Sequence, residues 1–418
     1  MLHRLLRQLV RPPFGAAWRA QRSLLVCSPK LPLVAAAAAA AAASLAAACQ
    51  ATACDEAASA AQGLNEYGEV TLEALVGRSL AHLKVTTGSV SVRGLDVRWW
   101  RYENPERCDK PPVVALHGGP SMTHLSLKPL VLLADEGHPV ILYDQAGCGA
   151  SSRDAAEEDT PWLLTVDYYV DELYALLASL GLGGERGERS QRPGAREGYY
   201  VYGLSWGAML AQEFAVTKPS GLRGLILSGA LADGALYIST QWRDRISTMP
   251  TFTQRLLGEL EGAKAYDTAA YRRLDTALGA QFTCRQVPRL EGTRDKRPNL
   301  AIYAGMQGES EFTFGGTLKG WRIVERNAAI GVPTLVLAGE YDTMSVEQHG
   351  QSAPLAVPQL APCASSGRAS RLWAAWYSQS EAPPLGALPP PRGLKRAASK
   401  VAHFTAFDHP GRVPPAGG

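Results

Sequence analysis

The pentapeptide Gly203-Leu204-Ser205-Trp206-Gly207 sets the tightest limit on what this chain can fold into. The run before it, Tyr199-Tyr200-Val201-Tyr202, is aromatic and β-branched, the composition of a strand. The run after it, Ala208-Met209-Leu210-Ala211-Gln212-Glu213-Phe214, consists mainly of good helix formers. A strand that turns straight into a helix leaves little room at the bend, and glycines on both sides remove the Cβ atoms that would collide there. The apex residue is forced outward, and its hydroxyl becomes a candidate nucleophile. The pentapeptide alone is a weak signal, so its flanks must carry the reading.

They do. Pro112-Val113-Val114-Ala115-Leu116 is a short apolar run with the character of a buried strand, and it ends in His117-Gly118-Gly119-Pro120. Val332-Pro333-Thr334-Leu335-Val336-Leu337-Ala338 is another, followed at once by Gly339-Glu340-Tyr341-Asp342. Further apolar strands are predicted at 139–143 and 223–228. Between them, Thr165 to Leu182 places apolar residues at 166, 169, 170, 173, 176, 177 and 180, a helical period with Thr165 as cap and Gly181 as stop. This alternation predicts an α/β fold of the α/β-hydrolase type, with a mostly parallel central sheet. The 136 residues between Ser205 and Asp342 exceed what such a core needs. The stretch 233–325 is charged, helical over 252–263 and 267–278, and reads as a helical cap that excludes water from the site.

In α/β-hydrolases the nucleophile, acid and base follow in the order Ser, Asp, His. Asp342, at the carboxyl end of a strand, is the candidate acid, against the simpler reading of a turn-forming aspartate. Three histidines follow it. His349 is only seven residues on, too close for another strand between them, and His409 abuts a proline. His403, in Val401-Ala402-His403-Phe404, is the candidate base. A glycine-rich loop after an early strand and the residue after the nucleophile supply the oxyanion donors in this fold, which here means the amides of Gly119 and Trp206.

Taken together these segments resemble the proline iminopeptidases, a serine-aminopeptidase branch of the α/β-hydrolases. His117-Gly118-Gly119-Pro120 is similar to that family's His-Gly-Gly-Pro-Gly, and Asp144-Gln145-Ala146-Gly147-Cys148-Gly149-Ala150-Ser151 to its Asp-Gln-Arg-Gly-x-Gly-x-Ser. Ser205-Trp206-Gly207 matches its nucleophile segment, and Met306 to Thr313 with Gly316-Thr317-Leu318 resembles a cap signature. The likeness covers about residues 65 to 345. It implies a serine exopeptidase that releases N-terminal residues, proline preferred, through an acyl-enzyme. It also implies that Glu311 and Glu291 bind the substrate's free ammonium, against the plainer reading that both are solvated surface glutamates.

Several positions depart from the family pattern. Ser121 replaces the last glycine of the oxyanion loop, Ala146 replaces an arginine, and 183–198 is a polar extension. Residues 352–399 are rich in proline, alanine, serine, glycine and arginine and lack a clear strand or helix period, so a disordered insertion and a disrupted C-terminal strand and helix are expected. Asp342 and His403 stand 61 positions apart, and fifteen residues follow His403.

The first 54 residues carry five arginines and Lys30 and no acid. That composition predicts an organelle transit peptide, plastid or mitochondrial, with a cytoplasmic protein as the alternative. Without these six basic residues the formal charge changes from +3 to −3, which leaves no basic surface to suggest nucleic acid. The alanine-rich run 31–48 is only weakly apolar, so no stable membrane span is expected. Seven cysteines without a Cys-x-x-Cys pair, and the lack of His-Glu-x-x-His, give no metal motif, and the proposed chemistry needs no cofactor.

The expected layout is a leader and transit peptide at 1–60, a first core part at 61–232, a cap at 233–325 and a second core part at 326–418. Short peptides or amino-acid amides with a free N-terminus are the expected partners; oligomeric state is not legible. Two other functions fit the same residues: an amidase or small-ester hydrolase, and an inactive hydrolase-like binding protein.

Overall fold

The structure is a computed structural model that describes residues 69–152, 161–184, 186, 198–283, 289–290, 298–339, 342–352, 361–363 and 372–377. The leader at 1–60, most of the polar extension at 183–198, much of 352–399, Glu291 and His403 lie outside the described residues.

Eleven strands are described: β1 (Glu69–Val70), β2 (Lys84–Val92), β3 (Leu95–Glu103), β4 (Val113–Leu116), β5 (Val140–Tyr143), β6 (Tyr199–Leu204), β7 (Leu222–Ser228), β8 (Arg289–Leu290), β9 (Thr334–Gly339), β10 (Ala361–Cys363) and β11 (Leu372–Tyr377). Nine of them form one sheet in the order β10-β11-β9-β7-β6-β4-β5-β3-β2, and β1 pairs with β8 apart from it. The five central strands, β9-β7-β6-β4-β5, run parallel, and the strands on both sides join antiparallel. A fold of the α/β-hydrolase type follows from this parallel block and the helices that cross over between its strands.

The helices are α1 (Leu72–Val76), α2 (Val166–Ser179), α3 (Trp206–Val216), α4 (Gly234–Thr240), α5 (Thr251–Gly262), α6 (Ala269–Leu278), α7 (Leu300–Met306) and α8 (Val346–Gln351). β4, β5 and β6 are buried along their whole length, as expected for parallel strands covered on both faces. On one face Val114, Ile141 and Val201 pack with Leu173 and Leu177 of α2 and Met209 and Phe214 of α3. On the other, Val113, Val140 and Leu142 pack with Leu127 and Leu130 to Leu133 of a 3₁₀ segment.

The predicted helix with Thr165 as cap is α2. The Thr165 hydroxyl accepts the Tyr168 amide, and Gly181 ends the helix in the left-handed region at φ +70°. Its buried arc is wider than the apolar stripe, because Tyr168, Glu172 and Tyr174 are buried too. The helices predicted at 252–263 and 267–278 appear as α5 and α6, one residue or two from the predicted bounds. They hold a small core of their own, with Ile246, Leu257, Tyr271, Leu274 and Phe312.

Within 352–399, where the sequence shows no clear strand or helix period, the structure describes two short strands, β10 and β11. β11 pairs antiparallel with β9, from Leu372 opposite Gly339 to Tyr377 opposite Thr334. Leu372-Trp373-Ala374-Ala375-Trp376-Tyr377 is a short apolar run hidden in a long polar one, and the edge of β9 offers it a complete hydrogen-bond ladder.

Candidate active site

Ser205 sits between β6 and α3 with φ +53° and ψ −115°, a strained conformation held by the elements on both sides. Its amide donates to the Ser228 carbonyl at 2.9 Å, which ties the bend to the end of β7. Both elbow glycines are needed for close approach. A Cβ on Gly203 would overlap the Gly207 carbonyl, and one on Gly207 would overlap the carbonyls of Leu116 and His117. The second contact is the informative one, since it lets the turn press against the end of β4, where the His117–Pro120 loop begins.

That loop and the first turn of α3 face each other at Ser205. Gly119, Pro120, Ser205 and Trp206 line one pocket. Trp206 is the first residue of α3, so its amide has no intrahelical acceptor, and the helix N-terminus favours negative charge there. Gly119 adopts φ +121°, and Ser121, two residues on, adopts φ +101°, a region that glycine enters without strain and serine does not. The family's glycine at that position therefore has a physical reason, and this chain keeps the backbone shape without it.

A third residue joins the two arms. The Gln145 backbone amide donates to His117 Nε2 at 3.0 Å, its Nε2 donates to the His117 carbonyl at 3.1 Å, and its Oε1 accepts the Trp206 indole N–H at 2.8 Å. His117 Nδ1 lies 2.8 Å from the Gly118 carbonyl and must be the donor there, which leaves Nε2 as the acceptor. Preceding it, buried Asp144 accepts His124 through the backbone amide at 2.7 Å and Nδ1 at 2.8 Å, and the Ala150 amide at 2.8 Å. Burial alone would raise the Asp144 pKa; the His124 hydrogen bond and charge, with His117 and Ala150, outweigh it and hold the carboxyl below the usual range. Following it, Ala146 donates its amide to fully buried Glu172 at 2.8 Å. Burial pushes Glu172 up to about 8, with too few donors to offset it.

The candidate acid lies at the end of β9. Asp342 is buried, its Oδ1 accepts the Met344 amide at 3.0 Å, and its Oδ2 has no partner among the described residues. Burial raises its pKa to about 6, against the Met344 hydrogen bond and the nearby Arg245 charge. Arg245, from the cap, donates to the Asp342 backbone carbonyl at 2.8 Å. Met344 lines the Ser205 pocket, so the acid loop reaches the nucleophile side of the sheet. His349 follows on α8, fully buried, with Nδ1 2.7 Å from the Ser345 carbonyl, and burial lowers its pKa to about 4. It does not line the Ser205 pocket.

Glu311 lines the same pocket as Ser205, with Tyr237, Gln307 and Phe314. Two phenols hold this carboxylate: Tyr237 donates to Oε2 at 3.3 Å, and Tyr303 donates to Oε1. Burial first, then the Glu311 charge, drives both phenol pKa values far up, so both stay donors at any working pH. The loop beneath is anchored by Ser310, whose hydroxyl contacts Glu261 at 2.6 Å and Tyr271 at 2.9 Å and accepts the Phe312 amide at 2.9 Å.

Of the sequence-derived residues, Ser205, Gly119, Trp206 and Glu311 thus share one pocket, and Asp342 stands two residues from its wall. Glu291 and His403 lie outside the described residues. The sequence reading passed over Gln145, Tyr237 and Tyr303 as individuals. Gln145 had a signal in the Asp-Gln motif; the tyrosines had none, because only the folded cap brings them to Glu311.

Comparison with known proteins agrees with this geometry. Residues 111–360 match the α/β-hydrolase fold family model. The chain is 31% identical over 269 residues to the proline iminopeptidase of Clostridioides difficile, covering 63% of this chain and 84% of that protein. It is 31% identical over 265 residues to the proline iminopeptidase of Heyndrickxia coagulans, with the same coverage. Among solved structures, proline iminopeptidase from Mycobacterium smegmatis superposes with a TM-score of 0.54 at 30% identity, over 64% of this chain and 86% of that one. VinJ gives the same figures.

Proposed function

As a member of the proline iminopeptidase family of α/β-hydrolases, and hence a hydrolytic enzyme, this chain, we propose, releases N-terminal residues, proline preferred, from short peptides or amino-acid amides. The observation that carries the reading is the shared pocket, lined by both Ser205 and the tyrosine-held Glu311. A half-buried carboxylate that shares a pocket with a nucleophile suits a substrate whose ammonium lies beside the scissile carbonyl. Each charge-assisted hydrogen bond to it contributes about 1.5–3 kcal/mol.

In this proposal the Ser205 oxygen attacks the carbonyl while His403 takes its proton and Asp342 holds the imidazole in the required tautomer. The amides of Gly119 and Trp206 receive the developing oxyanion. The C–N bond breaks as the imidazolium returns its proton to the leaving amine, and water then hydrolyses the acyl-serine by the same base. Glu291 is proposed as a second carboxylate for the ammonium. The basic leader supports an organellar destination, and residues 233–325 a cap in the sense of a lid. A fluorescent fusion of residues 1–60 tests the first: organelle import is expected, and a diffuse cytosolic signal would refute it.

The activity test compares prolyl, alanyl and N-acetyl-prolyl arylamides, with a short-chain ester, on wild type and Ser205→Ala. Turnover of the free-amine substrates that vanishes in Ser205→Ala is expected. Equal cleavage of blocked and free substrates would refute the aminopeptidase assignment, and turnover that survives in Ser205→Ala would refute the nucleophile.

A further inference from the structure

We infer that Gln145 is a positioning residue for catalysis, setting the two oxyanion donors at a fixed separation by bonding to His117 at the root of one arm and to the Trp206 indole on the other. The inference rests on the reading of Ser205 as nucleophile. The donors come from different elements: Gly119 from the loop after β4, Trp206 from the first turn of α3. Catalysis needs both amides about 2.7–3.1 Å from one developing oxygen, so the relative placement of loop and helix matters as much as either alone. Backbone packing at Gly207 brings the two elements into contact but offers no directional bond.

Gln145 supplies the direction. It is almost wholly buried, and its side chain is spent on the two arms, Nε2 to the His117 carbonyl and Oε1 from the Trp206 indole. The amide orientation is dictated by these partners. Turned over, it would set an N–H against the indole N–H and an oxygen against the carbonyl. The backbone amide adds a second grip on His117, through Nε2. The residue cannot drift, because Asp144 before it is fixed by His124 and Ala150, and Ala146 after it by Glu172. One side chain therefore spans from the root of the oxyanion loop to the residue after the nucleophile.

The test uses the full chain with a prolyl arylamide and two ligands: pyrrolidine-2-boronic acid, whose serine adduct places an oxygen in the oxyanion site, and proline, which forms no such adduct. In Gln145→Leu, kcat is expected to fall about 30- to 100-fold with KM within threefold, since misplacing a group by about 1 Å can cost about 100-fold. Boronate affinity falls by a similar factor while proline affinity holds. Trp206→Phe keeps the backbone amide and loses only the indole N–H, so it carries the test alone if the leucine variant does not accumulate. It should lose about 5- to 10-fold in kcat, and the double variant should be no worse than Gln145→Leu. Unchanged kcat, equal loss of boronate and proline affinity, or fully additive losses would each overturn the inference alone. Boronate that binds Ser205→Ala as well as wild type would overturn the nucleophile reading, and this inference with it.

Discussion

Glu172 is fully buried and Glu311 half-buried, and their surroundings set them apart. Glu311 has two phenol donors and lines the pocket, and under the proposed function it meets the substrate's ammonium. Replacing it by glutamine should lower kcat/KM for free-amine arylamides about 10- to 100-fold, with little effect on an ester that lacks the amine, as measured by paired kinetics. Glu172 has one amide donor and stands where the family's arginine is replaced by Ala146, so burial keeps it protonated up to about pH 8. Its folded pKa is raised, so the folded state binds the proton more tightly than the unfolded one. Stability from this group therefore declines as pH rises from the ordinary glutamate value of 4.5 to about 8. Glu172→Gln should flatten that decline, and melting curves at pH 5, 7 and 8.5 should show the variant gaining on wild type as pH rises.

At the scale of elements, the site is a junction of three chain reversals: after β4, after β6 and after β9. Each depends on a local backbone requirement. Ser121 meets its requirement badly, at φ +101°. Ser121→Gly should relieve that strain by about 1 kcal/mol net of the greater freedom glycine has when unfolded, raising the melting temperature by a few degrees without loss of kcat. Gly207→Ala goes the other way. Its Cβ would meet the backbone of β4's end, where nothing can yield, so soluble folded protein should fall sharply in expression and circular-dichroism assays.

The whole molecule couples core to cap through polar ties that cross long sequence distances. Where the chain returns from 233–325 to the core, Arg326 forms two 2.6 Å bonds to Glu213 on α3, and the Trp321 indole, from within 233–325, adds a third at 2.9 Å. Gln348 on α8 accepts the Ala232 amide at 3.1 Å and donates to the Asp233 carbonyl at 2.6 Å, just where the chain leaves β7 for the cap. Arg245 reaches from the cap to the Asp342 carbonyl. Arg326→Met should cost about 1 kcal/mol, since the arginine is half exposed while Glu213 is not, and should speed limited proteolysis within 251–279. Cleavage at the wild-type rate would mean that this tie does not hold the cap.

The sequence by itself determined the elements that follow from local rules: the elbow, where two glycines and a strand–helix change admit one geometry; the capped helix α2; the buried parallel strands; and the strand β9 that ends just before Asp342. Ser205, Asp342, Gly119 and Trp206 were legible as candidates for that reason, and Glu311 as a candidate through its resemblance to a family segment. The tertiary structure alone decided what depends on distance in space. It gave β11 a ladder along β9, although the surrounding composition signals no strand. It placed Tyr237 and Tyr303 on Glu311, and Gln145 between His117 and Trp206, partners up to 74 positions apart. Hydrogen-bond partnership of this kind leaves no period in the chain, because a side chain's burial and its donors are fixed by packing and not by its neighbours in sequence.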